Sequence, residues 1–154
     1  MRGMTDVKSA PLLATAAFQL GVTGTVVTDR FADRIAEYDL KPKHVGVLAL
    51  LASSSVASQL DLAKAMGVAP SLVVRLADHL ESLGAVERTR DPGDRRRQVL
   101  RITGHGSDLL TACTSESRAL ERELLAGLGA AERAAFRTAL ARVSANLGLP
   151  FGTP

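Results

Sequence analysis

Three residues, Gly67-Val68-Ala69, separate two stretches of helical period. Upstream, from Ser58 to Met66, the apolar positions are Leu60, Leu62, Ala63 and Met66. Downstream, Pro70 opens a run to Leu83 in which Val73, Leu76, Ala77, Leu80 and Leu83 recur at helical spacing. Gly67 supplies the left-handed residue that commonly ends a helix, and Pro70 suits a first helical turn. A connection this short holds the two helices against each other as a helix-turn-helix. Ser71, Leu72, Arg75, Asp78 and His79 fall on the other side of the second helix.

After Gly84 the period changes. Val86 to Arg90 and Gln98 to Ile102 read as short strands, joined by Asp91-Pro92-Gly93-Asp94-Arg95-Arg96-Arg97. Asp-Pro-Gly-Asp is turn chemistry, because each residue type presets or tolerates a turn conformation. The pair is a β-hairpin wing with a basic tip. Six arginines (Arg88, Arg90, Arg95, Arg96, Arg97, Arg101) stand here against Glu87, Asp91 and Asp94, in a chain whose net charge is only +3. Basic charge gathered in one place suggests a polyanionic partner. Taken alone, the arginine turn reads equally well as a solvated loop. Beside a helix-turn-helix it reads as a nucleic-acid contact. Asp94 is placed to hold the Arg96 guanidinium by a charge-assisted bond.

The flanks are helical. Leu13, Ala17, Leu20, Gly24, Val27 and Phe31 form a seam spaced 4, 3, 4, 3, 4 in a helix expected over Pro11 to Glu37. A helix that long is hard to bury in a small monomer. Lys41-Pro42 opens a second, very apolar helix over His44 to Leu51, broken by Ser53-Ser54-Ser55. Thr103 can cap a long helix with Leu110, Cys113, Leu120 and Leu124 on one side, and a last helix carries Phe136, Leu140, Val143 and Leu147. The fold class is mainly α: a winged helix-turn-helix with a two- or three-stranded wing and extra terminal helices for a homodimer. The division is a leader at 1–10, dimerisation helices at 11–37 and 104–148, the winged helix at 38–103, and a tail at 149–154.

The run Gln59 to Val68, then Val73 to Glu81, then Gly84-Ala85-Val86-Glu87-Arg88, closes with Asp91-Pro92-Gly93-Asp94-Arg95-Arg96, Leu100-Arg101-Ile102-Thr103 and Gly106. This resembles the MarR family of ligand-responsive regulators over about residues 40–112, with an Asp-Pro-x-Asp-Arg-Arg wing followed by a strand ending in Thr and a Gly. The resemblance implies a transcriptional repressor on double-stranded DNA, released by a small aromatic or lipophilic effector. It implies DNA contacts from Ser71, Leu72, Arg75 and His79 on the recognition helix, and from Arg88, Arg95, Arg96 and Arg97 on the wing. Arg75 can reach a guanine edge or a phosphate, and wing arginines suit the narrow minor groove. An effector site is expected at Phe18, Val22, His44 and Leu48. His44 reads equally as an exposed residue of a capping turn. Where the family often has a Ser cap and Thr-like residues, this chain has Ala69, Leu72 and Val74; Ala caps poorly, and Leu72 can touch only a thymine methyl.

Other readings narrow the class. The lone Cys113 makes no internal disulfide and suits a reducing cytoplasm; it reads as a buried structural thiol rather than a redox sensor. His44, His79 and His105 show no metal spacing, and no cofactor is expected. No Gly-rich phosphate loop or G-x-S-x-G nucleophile motif appears, so an enzyme is not expected. No stretch approaches the roughly 20 apolar residues of a membrane span. The rival reading is a winged-helix module used only for protein–protein contact, which tolerates Leu72 and Val74 but has no need of an arginine-tipped wing.

Overall fold

A computed structural model describes residues 11–53 and 58–149. The leader expected at 1–10, most of the tail, and Ser54-Ser55 of the serine break lie outside the described residues. The chain divides into two compact units, 1–42 and 43–154, so the helices after the wing fall in the same unit as the helix-turn-helix.

In the first unit a 3-10 turn at Pro11–Ala14 precedes helix α1, Ala16–Ile35. The apolar spacing predicts one helix through both. Thr15 divides them, because its hydroxyl donates to the Leu12 carbonyl (2.8 Å) and accepts the Phe18 N–H (3.3 Å) as an N-cap. A second 3-10 turn, Ala36–Tyr38, closes the element, with Asp39 left-handed at φ 55°. Phe18, Leu20, Val22 and Val26 are exposed on α1.

The second unit contains α2 (Pro42–Ser53, apart from its first residue), α3 (Gln59–Met66), α4 (Pro70–Ser82), β1 (Val86–Arg90), β2 (Gln98–Ile102), α5 (Gly104–Leu124) and α6 (Ala130–Asn146). Both strands have the bounds read from the sequence. They form a two-stranded antiparallel hairpin with Val86 opposite Ile102 and Arg90 opposite Gln98. Val47, Leu48 and Leu51 from α2, Leu62 from α3, Val73, Leu76 and Leu80 from α4, and Val86, Val99 and Leu100 from the hairpin are all buried. They supply the apolar burial that offsets the ordering of these short elements.

Two corners fix the geometry. At the end of α4, Gly84 is left-handed (φ 70°), its N–H bonds the Glu81 carbonyl (2.9 Å) and the Ala85 N–H bonds Leu80 (2.9 Å). This closure turns the chain straight into β1. Thr103 then ties three elements: its hydroxyl donates to the Gly84 carbonyl (2.6 Å) and accepts the Gly106 N–H (3.0 Å), while its own N–H bonds Ala85 (3.0 Å). Gly106 is buried so tightly there that a Cβ would stand 2.0 Å from the Ala85 carbonyl oxygen. The wing is thereby rooted to both the end of α4 and α5.

Candidate nucleic-acid interface

The outward face of α4 is set by the stripe it buries. With Val73, Leu76, Ala77 and Leu80 inward, helical periodicity leaves Ser71, Val74, Arg75 and Asp78 on the exposed side. Ala69 makes no side-chain cap, and Pro70 stands in the first turn. Pro70 has no N–H and the Leu72 N–H bonds the Ala69 carbonyl (3.0 Å), which leaves the Ser71 N–H of this turn for another acceptor. Leu72 is half-buried rather than presented. Val74, which is not among the contacts expected from the sequence, is 41% exposed. Its signal is its register: it lies three residues from Ser71 and four from Asp78.

His79 does not stand on this face. It adjoins Leu80 at the border of the buried stripe, and its half-buried ring stacks on His44 of α2, with centroids 4.6 Å apart and planes inclined by 28°. His44 is itself buried, which corrects the reading of it as an exposed capping-turn residue. The pair fastens α4 to α2.

The wing arginines separate into two groups. Arg88, on β1, directs its guanidinium at Asp78 and Glu81 of α4, forming an ion pair with each. It covers two carboxylates that would otherwise face any polyanion docked on α4. Arg97 reaches back to α3, donating to Ser58 Oγ (2.7 Å) and pairing with Asp61 Oδ2 (2.7 Å). Ser58 is the buried N-cap of α3; it accepts the Asp61 N–H (3.1 Å) and donates to the Asp61 carboxylate (2.6 Å). The Ser58 hydroxyl bond, followed by the charge of Arg97, holds the Asp61 carboxyl below its ordinary value of 3.8. Ser-x-x-Asp before an apolar run is a capping pattern, so the local half of this cluster is legible in the sequence; its capture of Arg97 is not.

Arg75, Arg95 and Arg96 remain exposed, and their guanidinium groups have no partner among the described residues. Asp94 does not grip the Arg96 guanidinium as the sequence leads one to expect. Its carboxylate accepts the Arg96 backbone N–H instead (3.0 Å), as Asp91 accepts that of Gly93 (2.9 Å). Short Asp side chains satisfy nearby backbone in turns, so the wing tip is shaped by aspartates and leaves its arginines outward. The free guanidinium forks fit phosphate and guanine edges.

The expected effector residues are not alike. Phe18 and Val22 are exposed on α1, whereas His44 and Leu48 are buried in α2. Cys113 is buried in α5, and burial, then Glu116, push its thiol up, away from the reactive thiolate. Among the described residues no group of His, Cys, Asp and Glu could hold a metal ion, and no helix is long and apolar enough to cross a membrane.

A hairpin rooted at the end of the second helix of a helix-turn-helix, with free arginines at its tip, defines a winged-helix protein. The sequence model of the MarR family matches residues 38–97. An uncharacterized HTH-type transcriptional regulator of Bacillus subtilis (strain 168), YdgJ, is 34% identical over 101 residues, 66% of this chain and 62% of that protein. The crystal structure of a cysteine-to-serine mutant of MarR from E. coli complexed with operator DNA superposes with a TM-score of 0.68 at 24% identity, over 82% of this chain and 94% of that one. The Bordetella bronchiseptica protein BpsR, whose DNA binding is regulated by 6-hydroxynicotinic acid, gives 0.72 at 22% identity, over 85% and 94%. Over residues 38–97 the chain is similar to the MarR family, and its fold is that of the winged-helix structures above. It spans less than two thirds of the length of the curated relatives it matches, 62% and 55%.

Proposed function

We propose that the chain is a homodimeric regulator of transcription that binds double-stranded DNA in a sequence-specific way, a repressor released by a small aromatic or lipophilic effector. The observation that carries this reading is a group of exposed guanidiniums with no partner among the described residues: Arg75 on the outward face of α4, Arg95 and Arg96 on the wing turn, and Arg90 and Arg101 on its strands. In a helix-turn-helix the second helix enters the major groove. Ser71 and Arg75 then stand at base edges, Leu72 lies at their margin, and the Ser71 N–H faces a phosphate. Arg95 and Arg96 enter or flank the minor groove. Arg88, Arg97 and His79 belong to the same surface, but act by fixing the elements that carry the contacts. The similar E. coli protein was crystallised with operator DNA, and BpsR has its DNA binding regulated by 6-hydroxynicotinic acid, a small aromatic acid; both support this reading by likeness of fold.

Self-association is supported by an exposed apolar stripe on α6, Phe136, Leu140, Val143 and Leu147, and by the exposed Leu20 and Val26 of α1. Apolar residues gathered on one helix face mark interaction surfaces. Phe18 and Val22 are the proposed effector contacts on α1. An effector needs only a few kcal/mol of preference for the conformation that does not bind DNA to release an operator.

The test is selection of bound duplexes from a random pool, followed by salt titration on the selected sequence, with and without small aromatic acids. Affinity should fall steeply with salt, as counterion release requires. Absence of duplex binding would favour a protein–protein module, which the exposed Leu60 and Val74 suit.

A further inference from the structure

Val74 is the residue on α4 with the least structural reason to be where it is. It is 41% exposed, so the core does not demand it. A β-branched residue is also a poorer helix former than Ala, since its side chain loses rotamer freedom against the preceding turn. It sits at the edge of the outward face, three residues before buried Ala77, with Ser71 one turn before it, Asp78 one turn after and Arg75 beside it. Asp78 is taken by Arg88. The chemistry offered to a base edge is therefore a hydroxyl, an isopropyl group and a guanidinium fork.

Base edges in the major groove are almost wholly hydrogen-bonding groups. The exception is thymine, which presents a C5-methyl. Against any other edge, Val74 would strip water from a donor or acceptor and return no bond, which is unfavourable. Against thymine it buries one methyl and part of its own surface. We propose that Val74 is a specificity-determining residue that reads a thymine methyl, so that each half of the bound sequence carries a thymine selected for its methyl group. This rests on the operator-binding reading above.

Deoxyuridine differs from thymidine only by that methyl, so the experiment replaces each thymine of the selected duplex by uracil in turn. Binding is measured for the wild-type chain and for Val74→Ala, both checked for an unchanged helical circular dichroism spectrum. One thymine per half-site should weaken wild-type binding about fourfold when replaced, the scale of one buried methyl group. Val74→Ala should bind the thymine and uracil duplexes alike, whereas Val74→Ile, which keeps the apolar contact, should retain the difference. No uracil effect at any position, or the same effect in Val74→Ala, overturns the assignment to Val74 while leaving operator binding intact. A selection that yields no preferred sequence overturns the operator reading itself, and this proposal with it.

Discussion

Arg97, at the end of the wing turn, and Asp61, in the first turn of α3, meet at 2.7 Å although 36 residues separate them. Ser58 joins the same cluster, so the wing is latched to the start of the helix-turn-helix. The pair is partly exposed, with side chains 47% and 55% accessible, and surface ion pairs contribute little stability. Its consequence is orientation of the neighbouring Arg95 and Arg96. Arg97→Ala and Asp61→Asn should therefore weaken DNA binding to similar extents, and the double variant should be no worse than either. The salt slope should stay unchanged, whereas loss of a direct phosphate contact lowers it by about one unit. A fall of that size in Arg97→Ala alone would make Arg97 a DNA contact.

The same cluster has a pH signature. The Asp61 carboxyl is held low, chiefly by the Ser58 hydroxyl and then by Arg97. The latch is accordingly intact above the ordinary carboxylate range and is lost only as pH falls through the lowered folded value. Ser58→Ala and Arg97→Ala should each raise the titration midpoint of Asp61 in carboxyl-detected NMR, with the larger shift in Ser58→Ala. An unmoved midpoint in both variants would show that the contacts do not persist in solution.

Arg75 and Arg96 should divide the work of recognition. Arg75 lies on α4 and Arg96 on the wing. A bidentate base contact is worth roughly 1–3 kcal/mol of discrimination, while a phosphate contact weakens all sequences alike. Arg75→Ala should flatten preference among duplex variants. Arg96→Ala should lower affinity for all of them and reduce the salt slope by about one unit. Arg96→Ala with wild-type affinity across salt concentrations would remove the wing from the interface.

Gly106→Ala should cost stability well beyond the helix-propensity gain of an Ala. Its Cβ would lie 2.0 Å from a backbone oxygen, with Ile102 at 2.8 Å. Overpacking of this kind costs typically about 1–3 kcal/mol and shifts the backbone. The denaturation midpoint should fall, and DNA binding should fall with it, because α5 and the wing root move apart. A variant as stable as the wild type would mean that the α5 start is looser than this contact.

Leu140→Asp should shift the chain towards monomer in sedimentation at micromolar concentration while leaving its helix content intact. Leu140 is 40% exposed, so the carboxylate is solvated in a lone chain and costly only when a second copy covers it. An unchanged dimer would place the interface elsewhere; a monomeric wild type would remove the homodimer from the proposal.

Where the elements begin and end is written in short stretches of sequence. Gly67, Pro70 and Gly84 act on the backbone at their own positions, as do Ser58 and Thr103 in their role as N-caps, and the structure uses them as caps, stops and turns at those places. The loss of helical period after Gly84 and the Asp-Pro-Gly-Asp turn place β1 and β2 for the same local reason. The sequence also marks out a cluster of arginines, but not which of them are free. That is settled in three dimensions, where Asp78 and Glu81 come to Arg88, and Ser58 and Asp61 come to Arg97. Packing likewise stacks His79 on His44, and makes Val74 rather than Leu72 the exposed apolar residue. The physical reason is range: caps and turns are settled by neighbours along the chain. An ion pair or a ring stack depends on the angle at which two separately folded elements meet, and only the packed core sets that angle.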